Sequence, residues 1–266
     1  RAGSFGRQAT AAHAARKEPA SFDDKVRKPG QNALALLAGK PLPHTLPGKK
    51  PSATKKIAGK SVPKQVADFS YWTNCLDELH AAYHGICAYY CYRLERTSGP
   101  GVDHLVAKSN PTDPSLAYEW SNFRLACAYA NTCKNQFPDV LDPCTIEDGW
   151  FELNVVTLLL SPSPKLEDPQ RSQVLASIER LKLNEARVLE TRQHAMAHFR
   201  QGAPIDFLDC DHPLLAKELR RQGITQKEQL PAYPACVTGV TEPEQLAKPP
   251  ADEPPAKAKP YRRKSK

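Results

Sequence analysis

Val102-Asp103-His104-Leu105-Val106, Glu119-Trp120-Ser121-Asn122 and Asn131-Thr132-Cys133-Lys134 are the stretches on which the fold is read. Ahead of the first, Cys87 to Glu95 is aromatic-rich and strand-like, and Ser98-Gly99-Pro100-Gly101 is a turn cluster. Val102 to Val106 then reads as the returning strand, and Pro111 and Pro114 mark a polar loop. Asn122 to Asn135, with Leu125, Ala126, Ala128, Tyr129 and Ala130, reads as a helix. Residues 87–135 are therefore expected to run strand, turn, strand, loop, helix.

Outward from this unit, the spacing of Trp72, Leu76, Leu79 and Tyr83 predicts a helix over Phe69 to His84, stopped at Gly85. Trp150 to Leu160 reads as a further strand. Ser172 to Gln201 is helical in period, with a break at Leu183-Asn184. A short helix follows Pro213, with Asp211 as its cap and Gly223 as its stop. The whole reads as α+β, mainly α.

The chemistry follows from residue types. A His beside an Asp at a strand end suits a general base next to a metal ligand. A divalent cation held by Asp103 and Asn131 would meet only hard oxygen donors, which favours Mg²⁺ over softer metals. Lys134, three residues beyond Asn131, lies within reach of a bound phosphate; Lys108 and Arg124 are further candidate nucleic-acid contacts. Asn122 is placed to cap the helix.

With these residues in view, the chain resembles the HNH endonucleases, the ββα-metal nuclease class. The resemblance is carried by Val102 to Ser109, Tyr118 to Cys127 and Asn131 to Lys134, with 18 residues from His104 to Asn122 and nine from Asn122 to Asn131. Asn stands at the third position, where the family name has His, so the pattern is an H-N-N variant. The resemblance extends over roughly residues 18–200. It implies a ββα-metal core with flanking helices. His104 would be the base that activates water, Asp103 and Asn131 the ligands of one Mg²⁺, and Asn122 the residue that braces the loop and orients the His. It further implies cleavage of DNA, expected to be double-stranded, to 5′-phosphate and 3′-hydroxyl ends. It also implies a bacterial, cytoplasmic setting among mobile elements and anti-phage defence systems, such as a Septu-type nuclease subunit working beside an ATPase. The alternative is a non-catalytic nucleic-acid-binding or partner-docking module on the same scaffold. A binding module has no use for a base beside a metal ligand, so Asp103-His104 favours the enzyme.

The cysteines enter as a possible structural Zn²⁺ set: Cys87 with Cys91, and Cys127 with Cys133. Neither spacing is the usual CxxC, and on one helix Cys127 and Cys133 would point about 120° apart. The expectation is free thiols packed in the core. His194 with His198, and His80 with His84, are read as packed or solvated positions, since 195–197 is Ala-Met-Ala and no HExxH glutamate is present.

Charge divides the chain. Residues 1–64 hold 14 basic residues against three acidic ones, and 247–266 hold seven against two, in a chain of net +8. Asp68 to Leu160 carries five basic and twelve acidic residues, a net −7. This predicts a basic, largely disordered arm at 1–65, of which 18–38 docks on the body, while the resemblance implies a nuclease domain at 66–160. A helical region at 161–230 and a disordered Pro/Lys-rich tail at 231–266 complete the division. The arms are expected to supply much of the DNA affinity. Residues 1–17, with Arg, Ala and Ser and no acid, loosely fit an organellar transit peptide and lack the apolar core of a secretory signal. No run approaches the roughly 18 apolar residues of a membrane span.

Overall fold

Strand pairing at the centre of the molecule joins β3 (Pro100–His104) to β4 (Phe123–Cys127), antiparallel, with Val102 opposite Leu125 and His104 opposite Phe123. The computed structural model describes residues 17–48 and 50–231. A loop with two 3₁₀ turns, Pro114–Tyr118 and Trp120–Asn122, joins the strands, and α3 (Ala128–Lys134) follows β4. Strand, loop, strand and helix are thus present, but one element later than expected. The predicted strand at Cys87 to Glu95 is an irregular segment touching the sheet through a single rung, Ala88 N–H to the Leu125 carbonyl at 2.8 Å. Ala88, Tyr89 and Tyr90 are buried in succession, which a pleated strand beside solvent does not allow, and Cys91 has a positive φ of 54°. Conversely, the first residues of the predicted helix, Phe123 to Ala126, are all buried and form β4. Cys127 caps α3, accepting from the Ala130 amide at 3.4 Å.

Around this hairpin the chain adds helices. Earlier elements are α1 (Lys28–Leu37), entered through a π-helical turn at Asp23–Arg27, and α2 (Leu76–Ala82), entered through a 3₁₀ turn at Tyr71–Cys75. Gly85, at φ 72°, ends this segment as expected. Trp150 to Leu160 is two short strands, β5 (Phe151–Leu153) and β6 (Leu160–Pro162), rather than one. The reason is Asn154, whose side chain accepts from the Val156 and Thr157 amides, both at 2.9 Å, and turns the chain. Then come α4 (Asp168–Arg180), α5 (Ala186–Arg200), α6 (Ile205–Asp211) and α7 (Pro213–Arg221). The break between α4 and α5 falls where the sequence places it, with Lys182 at φ 54° and Asn184 bridging both backbone groups of Leu160 at 2.8 Å. Asp211 ends α6 instead of capping α7; His212 occupies the cap position.

The region after residue 160 shares one unit with what precedes it, up to Leu230. Tyr90 Oη donates to the Leu181 carbonyl at 3.0 Å, and the Arg93 amide to the Asp211 carbonyl at 2.9 Å. Among the described residues no helix is long and apolar enough to cross a membrane.

The segment 18–38 does dock. Phe22, Val26 and Ala33 are buried, and the Phe22 ring meets Trp120 and Phe123 edge-on at 5.5 and 5.7 Å. Gly30 lies flat on Tyr118: a Cβ there would sit 2.1 Å from the ring's Cγ. Gly30→Ala is therefore expected to cost at least the upper end of the ~1–3 kcal/mol typical of overpacking. A thermal melt lowered by several degrees is the check, and an unchanged melting temperature would mean the helix is not seated there.

The described part of the arm holds more regular structure than its composition suggests. Thr54–Ile57 (β1) and Lys60–Pro63 (β2) form a hairpin, closed by Ala58 and Gly59 at φ 47° and 79°. Two consecutive left-handed residues are what a tight two-residue hairpin turn requires. Residues 1–16, and the predicted tail at 231–266 beyond Pro231, lie outside the described residues.

His212 gives the fold an acid-sensitive point. Burial, with the nearby Arg192 charge, pushes its imidazole down to about 4. The unfolded imidazole takes its proton near 6.5, so acid favours the unfolded chain, and stability falls as pH drops from about 6.5 towards 4. From pH 7 to pH 5 this residue alone should cost about 2 kcal/mol. Urea titrations of wild type and His212→Gln at both pH values test this; equal pH dependence in the two proteins would refute it.

Candidate active site

Asp103 and His104 sit at the end of β3, 2% and 6% exposed. They share an open cleft of about 580 Å³ with Lys108 and with Asn131 of α3. The hairpin supplies the first two residues, its loop the third, and the helix the fourth.

The His104 ring is fixed on three sides. Its Nε2 lies 3.0 Å from the Ala117 carbonyl oxygen, Trp72 stands against it edge-on at 4.8 Å, and Phe123 at 5.2 Å. A carbonyl oxygen only accepts, so Nε2 carries the proton and Nδ1 keeps the lone pair. Burial, aided by the Lys108 and Lys134 charges, pushes the imidazole down to about 4, against the pull of the Ala117 hydrogen bond. The ring is thus neutral at neutral pH, as a proton acceptor must be.

Asp103 is held through one oxygen. Tyr89 Oη donates to Oδ2 at 2.6 Å, and Lys134 Nζ lies 3.7 Å from the same atom. Burial outweighs both partners and raises the carboxyl to about 6. Among the described residues no bond is made to Oδ1, and Asp103 lines the cleft. Oxygen donors on Asp103 and Asn131 fit a small hard cation, which takes its remaining ligands from water and phosphate. Among the described residues no three His, Cys, Asp or Glu gather into a metal-holding group. The fit therefore rests on one carboxylate and one amide.

Asn122 braces the loop. Its Oδ1 accepts from the Val106 amide at 2.7 Å, and its Nδ2 donates to the Val106 and Leu116 carbonyls at 2.9 and 2.8 Å. Both ends of the loop that carries Ala117 are thereby tied, and with them the His104 ring. Of the two roles open to Asn122, helix capping is the one the structure removes, since a strand follows it.

Two expected phosphate contacts are committed elsewhere. Lys134 is 1% exposed and donates to the His104 carbonyl at 2.7 Å, fastening α3 to the end of β3. Arg124 grips Asp142 with two bonds, at 2.7 and 2.6 Å, and donates to the Ser121 and Phe123 carbonyls. Lys108 remains at the cleft, its ammonium 5.6 Å from the Trp72 ring centre.

The cysteines divide. Cys87 is buried and hydrogen-bonds to Cys127, which that bond and a further one from Tyr92 hold down at about 6. Cys133 contacts Tyr90 instead, and burial pushes the Cys91 thiol up to about 11. His194 is solvent-exposed, and His80 Nε2 bonds to the Leu94 carbonyl at 2.8 Å.

Tyr89 and Trp72 are the site residues that sequence reasoning missed. Tyr89 sits in an aromatic-rich stretch with no spacing signal of its own. Trp72 reads as an ordinary core position of its helix.

No protein-family model matches the chain, and no curated protein matches it.

Proposed function

We propose that the chain is a metal-dependent endonuclease that hydrolyses phosphodiester bonds in DNA at the Asp103, His104 and Asn131 cleft. The observation that supports this most is the His104 ring: neutral and anchored by Nε2 on a backbone carbonyl, so that Nδ1 keeps the lone pair, in a cleft that Asp103 and Asn131 also line. A general base needs that combination.

His104 Nδ1 accepts a proton from water, and the resulting hydroxide attacks phosphorus in line with the departing 3′ oxygen. Asp103 and Asn131 would hold Mg²⁺, which supplies positive charge at the scissile phosphate and the leaving oxygen. Tyr89 aims Asp103 by donating to Oδ2 and, with Lys134, offsets part of the burial that raises its carboxyl. Asn122 keeps the loop, and hence the Ala117 carbonyl behind the His104 ring, in place. Lys108, which lines the cleft, would meet an entering phosphate. The products are 5′-phosphate and 3′-hydroxyl ends.

One observation favours a non-catalytic nucleic-acid-binding module: Lys134 already places a cation near Asp103. Isothermal titration of Mg²⁺ into wild type and Asp103→Asn separates the readings. The nuclease reading expects binding in the first and its loss in the second. Tyr89→Phe should weaken that binding by about 10- to 100-fold, the usual effect of removing a group that orients a ligand. Equal Mg²⁺ affinity in wild type and Asp103→Asn would favour the binding module.

A further inference from the structure

We infer that the β1–β2 hairpin is a phosphate-gripping ribbon that holds duplex nucleic acid against the cleft. The inference rests on the nuclease reading for what happens in the cleft, but not for the binding itself. Residues 50–64 contain Lys50, Lys55, Lys56, Lys60 and Lys64 and no acidic residue, beside a body whose central span is net −7. An acidic surface around a phosphodiesterase site repels its substrate unless fixed positive charge lies nearby.

The hairpin is fixed at the cleft rim. The residues that follow it, Gln65, Val66 and Ala67, line the cleft with Asp103 and His104. Lys55 forms an ion pair with Asp68, and the Lys64 ammonium sits 4.9 Å from the Phe69 ring centre, so the ribbon is anchored through β1 and through the residue that follows β2. These two lysines are spent on anchoring.

The other end is free of such duties. Lys56 and Lys60 are exposed, and among the described residues no ion pair involves them. Lys56 faces Ser61 across the ribbon, and Lys60 faces Ile57, which is 55% exposed at the tip. Among the described residues Ile57, set between lysines at the tip, is not packed against the buried core. On a nucleic acid it meets sugar and base edges while the lysines meet phosphates. A two-stranded ribbon is also of a size that a B-form major groove admits.

The test uses the full chain with Lys56→Ala/Lys60→Ala. Anisotropy of a labelled 30-base-pair duplex is followed in EDTA across 50 to 200 mM NaCl, with DNA and RNA duplexes in parallel. Affinity at low salt should fall about 10-fold or more. The slope of log affinity against log salt should become shallower by about 1.8, the loss of two phosphate contacts at ~0.9 each. A loss on either duplex meets the expectation, and the larger loss identifies the backbone preferred. Wild-type affinity and slope on both duplexes would overturn the inference. Hydrolysis of bis-p-nitrophenyl phosphate, too small to span the ribbon, separates the two readings. It should be the same in wild type and the variant. If wild type hydrolyses neither this ester nor DNA while the variant still binds duplex more weakly, the nuclease reading fails and the ribbon stands.

Discussion

His104→Ala is expected to slow plasmid nicking by about 100- to 10,000-fold, the range a positioned general base contributes. Among the described residues that line the cleft, the imidazole alone combines a neutral state with a lone pair held by a backbone anchor on its opposite nitrogen. Asp103 is committed through Oδ2, and Lys134 is a cation turned inward onto the His104 carbonyl. Removing the ring also opens a space between Trp72 and Phe123. Added imidazole should enter that space and restore part of the rate, which a purely structural role would not allow. Circular dichroism should show the variant folded. A folded His104→Ala protein that nicks at the wild-type rate would remove His104 from the chemistry.

The largest stability loss is expected at Asp142→Ala. Arg124 lies on β4 with only 5% of its surface exposed, and Asp142 neutralises it through two bonds. Burial pushes the Asp142 carboxyl up, but the bonds from Arg124 and the Cys144 amide prevail and leave it below the usual carboxylate value. Its contribution is therefore present above the unfolded value near 4 and is lost as pH falls below it. Truncating Asp142 strands a buried guanidinium, at a cost of about 3–5 kcal/mol. In a domain of this size that is roughly a 10 °C fall in melting temperature. The double replacement Arg124→Met/Asp142→Leu should recover most of the loss, because the penalty lies in the unpaired charge and not in the absence of the pair. Equal destabilisation in the single and double variants would mean that Asp142 matters through its turn, where it also accepts from the Cys144 amide at 3.0 Å.

Sequence and structure agree most closely where local chemistry decides the structure. Gly85 and Gly223 stop their helices, both at positive φ, and the α4–α5 break falls at Leu183-Asn184. The spacing of Asp103, His104, Asn122 and Asn131 brings three of them to one cleft and the fourth to the loop that braces it. The strand assignment failed because Phe123 to Ala126 is buried on both faces and so lacks the alternation that separates strand from helix. The aromatic run before it imitated a strand by composition alone. Arg124 and Lys134 show a different limit. A charge in sequence carries no sign of burial, and the partners that bury these two, Asp142 and the His104 carbonyl, are distant along the chain or belong to the backbone. At the hairpin, lysine and proline content suggested disorder, while the two-residue Ala58-Gly59 turn was the signal that pointed the other way.

The most direct measurement is the ligation of nicked plasmid. Supercoiled DNA is incubated with the full chain over a range of Mg²⁺ concentrations, and the nicked circles are then offered to DNA ligase. Nuclease activity at the cleft requires nicking that depends on Mg²⁺, leaves 5′-phosphate and 3′-hydroxyl ends that the ligase reseals, and is absent from Asp103→Asn. It is contradicted if neither DNA nor RNA is cut at any Mg²⁺ concentration, or if Asp103→Asn cuts as fast as the wild type.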